Sequence, residues 1–244
     1  LSRAKAAYWL GRTAEARGDK QGATKHYWDA TRDPDTFHAL LAMQKLEPGS
    51  SQLSLPMPVL PSGTEAKAFN NLDLAKAAVL SQKVGLSRNT TRIFLVGLRN
   101  TVTSEAEAGM VAHLAEMLDD TQMSLRNAKA AIAKGQNLYL YGYPVHPFPA
   151  YTMLRPAPER ALLLGIARQE TEFEQQTLSG AGAKGLLQVM TVTAKHVCRD
   201  YKIKCDIKRL MADKSYNAMI ASAYIADRMD DFSGSYVLGL AGYN

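Results

Sequence analysis

One glutamate in the C-terminal third of the sequence lies where chemistry would be expected. Residues 160–173 follow a helical apolar pattern, and Glu170 falls on the same face as Ile166 and Phe173. A carboxylate at an apolar position must be paired, hydrogen-bonded or kept protonated, because burial penalises the charged form. A carboxyl with a raised pKa is what general acid catalysis needs. Glu170 is therefore a candidate acid, and the alternative is a structural ion pair with an arginine such as Arg168.

Two further segments could complete a site around this carboxyl. Residues 180–188, called the glycine loop below, hold three glycines within six positions, which permits tight turns and close approach of a ligand to the backbone. The loop lacks the Lys-Ser/Thr ending of a phosphate-binding loop. Tyr243 and Asn244 place a phenol beside an amide. Taken singly, a glycine-rich segment is usually only a turn, and Tyr-Asn is usually a surface pair.

The rest of the chain has helical periodicity and no convincing strand pattern, so the sequence predicts an all-α protein. A proline-rich segment separates two regions, because proline disrupts helices. We expect three parts: helical pairs over residues 1–143, a linker over 144–158, and a catalytic domain over 159–244. Residues 9–34 have a tetratricopeptide-like spacing, with a turn at Gly18–Asp19. The aromatic residues of this hairpin are expected in its hydrophobic core: Tyr8, Trp9, Tyr27 and Trp28.

Further helices are predicted over four segments. These are 72–84, 88–99, 105–118 and 124–134. Gly85, Asn100 and Gly135 lie just past these apolar runs, where helix C-caps prefer such residues. Another helix is expected to begin at Glu159, after the prolines.

Composition restricts the class of protein. The 244 residues are 46% hydrophobic and 21% charged, which is typical of globular proteins. No apolar run approaches the ~20 residues that span a bilayer, so an integral membrane protein is not expected. The net charge of +6 favours polyanionic partners in general. The basic residues are scattered rather than clustered, so nucleic acid is not an expected partner.

The two cysteines leave two interpretations open. Cys198 and Cys205 are seven residues apart, ~10.5 Å along an unbroken helix, which is too far for a disulfide. A turn between them could bring the sulfurs together. Two buried thiols and a loop-closing disulfide are equally compatible with the sequence, and a zinc site is not expected.

Four blocks of the C-terminal region together resemble a known family, the soluble lytic transglycosylases. The blocks are Arg168–Thr171, Ser179–Met190, Asn217 with Ala223–Ile225, and Ala241–Asn244. Members of this family are goose-lysozyme-like enzymes of the bacterial periplasm that cleave peptidoglycan. The resemblance covers residues 159–244. The helical pairs of residues 1–143 are similar to the superhelical region that precedes the catalytic domain in this family.

The resemblance implies a role for each matching site residue. Glu170 would be the catalytic acid. Five residues would bind substrate: Ser179 near an N-acetyl group, Gln188 and Met190 along the sugar groove, Tyr243 hydrogen-bonded to the catalytic carboxyl, and Asn244 in the same pocket. The family continues for several helices beyond the Tyr-Asn motif, so we expect residues 159–244 to be a catalytic domain truncated at its C-terminus.

The expected chemistry needs only one carboxyl. An ordinary glycosidase uses two carboxylates across the scissile bond, whereas Glu172 and Glu174 lie beside Glu170 and are expected to be solvated surface charges. In the resembled family one acid suffices, because the 6-hydroxyl of N-acetylmuramic acid closes on C1 and leaves a 1,6-anhydro end. We therefore expect a periplasmic lytic transglycosylase that acts on peptidoglycan glycan strands without metal or cofactor. The alternatives are a muramidase on the same fold and an inactive wall-binding or scaffold module.

Overall fold

The computed structural model describes residues 2–49 and 55–244, and within them fourteen helices and no β-strand are present. The prediction of an all-α protein is confirmed. The chain forms two compact units, Leu1–Met57 and Pro58–Asn244. The predicted division into residues 1–143, 144–158 and 159–244 stays a prediction. None of the described helices has the length and hydropathy of a membrane-spanning segment.

The first unit contains the predicted helical hairpin. Its helices are α1 (Ser2–Ala16), α2 (Lys20–Ala30) and α3 (Phe37–Leu46). The turn lies at Gly18, with φ +78°, and Asp19 caps α2 by accepting the Gly22 N–H at 2.8 Å. The helices cross so closely that a Cβ at Gly11 would lie 2.5 Å from the Tyr27 ring.

The core prediction for this hairpin is half right. Tyr8 and Tyr27 are buried, with 6% and 4% of their surface exposed. Trp9 and Trp28 are not in the core, because each has more than half of its surface exposed. The helical period places these indoles on the outer edges of the faces that pack together.

The second unit holds the remaining helices. They are α4 (Gly63–Asn71), α5 (Asp73–Lys83), α6 (Arg88–Thr101), α7 (Glu105–Met117), α8 (Thr121–Ile132), α9 (Tyr139–Gly142), α10 (Arg160–Glu170), α11 (Thr191–Asp200), α12 (Arg209–Ala212), α13 (Lys214–Asp231) and α14 (Tyr236–Tyr243).

The four helices predicted in this region are present as α5 to α8, with two corrections. Asn100 is no C-cap, because α6 continues to Thr101 and the Val102 N–H bonds back to the Leu98 carbonyl. Helix α8 begins earlier than predicted, because the buried Asp120 caps it by accepting the Met123 N–H at 3.0 Å.

The core beneath the candidate site is built mainly from the C-terminal helices. Its fully buried members include Leu163 of α10 and Ile220 of α13, together with Leu186 and Leu187 of the glycine loop. Leu125 of α8 belongs to the same cluster. The glycine loop is thus anchored by two apolar side chains, while its flanking residues reach the surface.

Candidate active site

Glu170 is the last residue of α10 and its side chain is exposed. This differs from the buried position that the apolar pattern predicts, because the helix ends here and its packed face opens to solvent at the final residue. The alternative ion pair with Arg168 is not observed. Arg168 instead donates from Nε to the Gly142 carbonyl at 2.7 Å and stacks 4.2 Å from the Tyr143 ring centroid. Within the described residues, no side chain hydrogen-bonds or ion-pairs with Glu170.

The residues after Glu170 form a tight turn, called the acidic turn below (residues 171–174). Thr171 caps α10, and Glu172 and Phe173 then adopt left-handed backbone conformations with φ of +54° and +68°. Phe173 is buried and joins the core. The turn sends the chain sharply away from the helix axis, which leaves Glu170 at the edge of the packed region.

The expectation that Glu172 and Glu174 are solvated surface charges is wrong. Each side chain is only 20% exposed and each is ion-paired. Glu172 forms ion pairs with Arg126 and Lys129 of α8, and Glu174 forms ion pairs with two arginines of α6. Burial alone would raise the pKa of Glu172, but the hydrogen bonds from Lys129 and Arg126 outweigh it and lower the pKa below its ordinary value. Among these three acidic residues, only Glu170 is unpaired within the described part of the chain.

The glycine loop is fixed by side chains that hydrogen-bond to its backbone. The buried Asn217 of α13 accepts the Leu187 N–H at 2.9 Å and donates to the Lys184 and Leu210 carbonyls. Gln175 accepts the Leu186 N–H at 3.1 Å and also donates to Leu210. Within the described residues, the Leu186 and Leu187 N–H groups have no backbone acceptor, so these side chains satisfy buried donors that the loop itself cannot.

Thr171 links the acidic turn to the glycine loop, and Gly185 allows the loop to pack closely against Leu210. The Thr171 hydroxyl donates to the Leu186 carbonyl at 2.8 Å. Gly185 has φ +73°, and a Cβ there would lie 2.1 Å from the Leu210 carbonyl oxygen. Only glycine fits this position, since both its backbone conformation and its surroundings exclude a side chain.

Three predicted substrate residues lie on or beside the glycine loop. Gln188 is half-buried and donates from Nε2 to the Gly185 and Thr177 carbonyls at 2.9 and 3.2 Å, so its amide braces the loop. The Ser179 hydroxyl accepts the Ala183 N–H at 3.0 Å. Met190 is 37% exposed at the start of α11.

The two C-terminal site residues are placed differently from one another. The resemblance predicted a hydrogen bond from Tyr243 to the Glu170 carboxyl. In the structure the Tyr243 hydroxyl donates its single proton to the Leu187 carbonyl of the glycine loop. Burial raises the pKa of Tyr243, and the negative charge of the neighbouring Glu170 raises it further. Asn244 follows α14 and is exposed.

Sequence reasoning missed the residues that hold this arrangement together. No local pattern indicates Gln175, and Asn217 stands out only as part of a motif. The one available signal was Asn217 itself, a polar residue between Tyr216 and Ala218 in an otherwise apolar helical run. Its amide is fully buried, and burial of an amide requires hydrogen-bond partners.

Only one of the two cysteines belongs to the core beneath the candidate site, namely Cys198. Cys198 is buried in α11, Cys205 is exposed, and both are free thiols. The predicted turn between them is present, with Lys202 at φ +52°. Burial and then a hydrogen bond with Cys205 raise the pKa of Cys198 to about 11. Among the described residues there is no cluster of three or more histidine, cysteine, aspartate or glutamate side chains that could hold a metal.

The region that carries these residues matches a known family. Residues 150–244 match the family described as Transglycosylase SLT domain. The resemblance to the soluble lytic transglycosylases is confirmed. The chain also aligns with the soluble lytic murein transglycosylase of Escherichia coli K12, at 29% identity over 98 residues, which is 40% of this chain and 15% of that protein.

Solved structures extend the likeness beyond the SLT region. The 70 kDa soluble lytic transglycosylase of Escherichia coli superposes with a TM-score of 0.75 at 21% identity, over 100% of this chain and 38% of that one. An inactive glutamate-to-glutamine mutant of the lytic transglycosylase Slt from Pseudomonas aeruginosa superposes with a TM-score of 0.76 at 19% identity. The match covers 99% of this chain and 39% of that one. These structures show the fold, and the predicted fold class is confirmed. The chain spans less than two fifths of the length of either.

Proposed function

We propose that this chain is part of a peptidoglycan lytic transglycosylase. The reaction would cleave the β-1,4 bond between N-acetylmuramic acid and N-acetylglucosamine and leave a 1,6-anhydromuramic acid end. The SLT region and the transglycosylases to which the chain is similar support the reaction class. The substrate would be the peptidoglycan glycan strand, and the positive charge of the chain suits a wall polymer that carries carboxylates.

The observation that carries the proposal is the contrast between Glu170 and its neighbours. Glu172 and Glu174 are held in ion pairs, whereas the carboxyl of Glu170 is exposed and unpaired within the described residues, close to Tyr243 and the glycine loop. A paired carboxylate serves poorly as an acid, because its partners stabilise the deprotonated form. One available carboxyl fits a reaction in which the substrate supplies its own nucleophile.

The proposed steps balance with a single acid–base group. Protonated Glu170 gives its proton to the bridging oxygen, and the bond between C1 and that oxygen breaks. The 6-hydroxyl oxygen of the same muramyl residue forms a bond to C1, and its proton returns to the Glu170 carboxylate. No water is consumed. The intramolecular hydroxyl competes well against water because its attack is effectively unimolecular.

The other site residues would shape the groove around this carboxyl. We propose substrate contacts for Ser179, Met190 and Asn244 from their exposure or half-exposure at the loop and chain surface. Gln188 and Tyr243 would act at the groove through the loop that they brace, since their hydrogen bonds run to its backbone carbonyls.

Substitution of Glu170 tests the assignment of the acid. Glu170→Gln should lower turnover of purified peptidoglycan by at least 10²–10⁴-fold, which is the usual size of general acid catalysis. Glu47→Gln, an exposed glutamate of the other compact unit, is the matched control and should digest like the parent. Turnover by Glu170→Gln near the parent rate would remove Glu170 as the acid.

Product analysis by mass spectrometry tests the reaction class. Muropeptides from the parent chain should end in 1,6-anhydro-N-acetylmuramic acid. Products that are heavier by one water and reducible by borohydride would make the protein a muramidase. Binding to the wall with no products would favour the inactive module.

We propose the bacterial periplasm as the compartment, and the cysteines offer a check. Besides burial, the Cys205 thiol raises the pKa of Cys198 across the turn at Lys202, so the two sulfurs are near neighbours that oxidation should link. A bridge that closes so short a loop would contribute at most about 2–3 kcal/mol. Non-reducing mass spectrometry of protein from the periplasm should show the bond. Two alkylated thiols in that protein would count against it.

A further inference from the structure

We infer that Glu172 and Glu174 are positioning residues, through which α6 and α8 hold the acidic turn and thereby orient the carboxyl of Glu170. The inference rests on the proposed function, because it assigns to Glu170 the role of acid. It gives two helices that lie up to 86 residues away in the chain a direct part in the geometry of the site.

The acidic turn is strained and needs external support. Glu172 and Phe173 are consecutive non-glycine residues in the left-handed region, with φ of +54° and +68°. Each such conformation costs about 1–2 kcal/mol for an L-residue. Residues of this kind persist only where the surroundings over-determine them, and they cluster at functional sites.

One face of α8 supplies the first support. Gln122, Arg126 and Lys129 are spaced i, i+4 and i+7, so they share a helix face. Arg126 Nε and Lys129 Nζ each lie 2.6 Å from a different carboxylate oxygen of Glu172. Gln122 Nε2 donates to the Thr171 carbonyl at 3.1 Å. The residue directly after Glu170 and its successor are therefore both bonded to α8.

Helix α6 supplies the second support from the other end of the turn. Arg88 and Arg92 approach one oxygen of Glu174 at 3.2 and 3.4 Å. Arg92 is itself fixed, because it forms a two-pronged ion pair with the buried Asp120 at 2.5 and 2.8 Å. Asp120 also caps α8. The two supports are thus joined at the start of α8.

The two supports leave the acidic turn little freedom. Phe173 is buried in the core between the two paired glutamates. Charged hydrogen bonds of this kind are stronger than neutral ones, and partial burial reduces their screening. Since a displacement of about 1 Å at a reacting group can cost 10²-fold in rate, loss of the supports should reduce turnover without removing any group that touches substrate.

The test removes the support in two ways that differ in their effect on strain. The double variant Arg126→Ala/Lys129→Ala removes the partners and leaves the strained backbone. Glu172→Gly removes the ion pairs and also relieves the strain, because glycine adopts positive φ freely. We expect kcat to fall about 10–100-fold in both, with KM nearly unchanged. Amide hydrogen exchange of residues 171–174 should rise about tenfold in both, while the rest of the chain exchanges as in the parent.

Two matched variants separate positioning from general charge effects. Arg126→Lys keeps a cation at the same place and should retain most of the parent kcat. Arg32→Gln removes an exposed ion pair with Asp29 in the other compact unit and should change neither kcat nor exchange in the acidic turn. If kcat of Glu172→Gly equals that of the parent, the ion pairs serve stability alone and the inference is overturned.

The exchange measurement distinguishes failure of the inference from failure of the proposed function. A parent chain without turnover would refute the proposed function. Unchanged exchange at residues 171–174 in the double variant would refute the support itself, whatever the activity. Faster exchange with unchanged kcat would show that the supports exist but do not position Glu170.

Discussion

The α1–α2 hairpin and the glycine loop both turn at a glycine of similar backbone conformation, yet different forces hold them. Gly18 has φ +78° and Gly185 has φ +73°. A Cβ at Gly18 would meet nothing within 4 Å, whereas one at Gly185 would lie 2.1 Å from the Leu210 carbonyl oxygen and 2.5 Å from the Asn217 amide nitrogen. The hairpin turn is open to solvent, and the loop turn is packed against distant parts of the chain.

The hydrogen bonds of the two regions differ in range. Asp19 caps α2 by bonding three residues ahead. The loop bonds come from Gln175, Asn217 and Tyr243, across 11, 30 and 56 positions. The hairpin is thus stabilised by local geometry and helix packing, whereas the loop has its shape only when α13 and α14 are in place. Substitutions at matching positions should therefore have unequal effects.

The largest expected difference is between the two glycines. Gly185→Ala should lower the free energy of unfolding by about 3–5 kcal/mol, because it adds a left-handed penalty to a steric conflict with backbone. Gly18→Ala should cost about 1 kcal/mol, since only the backbone conformation opposes it. Urea denaturation followed by circular dichroism measures both. Equal losses would show that packing around Gly185 relaxes at no cost.

Substitution of Asn217 should cause the next largest loss of stability. Asn217→Ala leaves the buried Leu187 N–H without an acceptor and removes one of the two donors to each of the Lys184 and Leu210 carbonyls, at a cost of about 2–3 kcal/mol. Asn217→Asp keeps the acceptor and loses the donors, so it should fall between parent and alanine near pH 4. Thermal unfolding orders the three proteins. An aspartate variant as stable as the parent would mean that the two carbonyls need no second donor.

The two tyrosines give a smaller, matched comparison of hydroxyl groups. Tyr243→Phe leaves the buried Leu187 carbonyl without its donor and should cost about 1–2 kcal/mol. Tyr27→Phe removes a bond to the Glu15 carboxylate, which is 45% exposed and can turn to water, so the loss should stay below about 0.5 kcal/mol. Guanidinium denaturation of both variants beside the parent resolves this difference. A larger loss in the hairpin would reverse the comparison.

The smallest effect is expected in the pH dependence of stability. Tyr27 and Lys45 lower the pKa of Glu15, and Lys129 and Arg126 lower that of Glu172 against its burial. A lowered folded pKa contributes stability above the unfolded value of about 4.3, and this stability is lost as pH falls through the folded value. Glu172→Gln should therefore flatten the stability profile below pH 5 more than Glu15→Gln, because Glu172 is less exposed. Identical profiles for the two variants would contradict this.

Much of the helical scaffold could be predicted from residue types alone. The hairpin turn at Gly18–Asp19 and helices α5 to α8 follow from apolar period and capping residues, which act over three or four positions. The motif order around Glu170 also sufficed to predict the resemblance to the soluble lytic transglycosylases, and the SLT match covers that region. The predictions were wrong where contacts between distant parts of the chain, rather than local spacing, decide whether a side chain is buried. Trp9 and Trp28 have the spacing of core residues yet lie half-exposed.

The state of the three glutamates could only be decided by the folded chain. The apolar period predicted a buried Glu170, and Glu172 and Glu174 were expected to be solvated; the structure has the reverse. The period assumes that the helix continues, but α10 ends at Glu170 and the left-handed turn redirects the chain after it. The basic residues that pair with Glu172 and Glu174 lie on α6 and α8, at positions that no local pattern connects to the site. Residue type and spacing determined which carboxyl stands at the end of the helix, whereas charge pairing and burial depend on through-space contacts and required the tertiary structure.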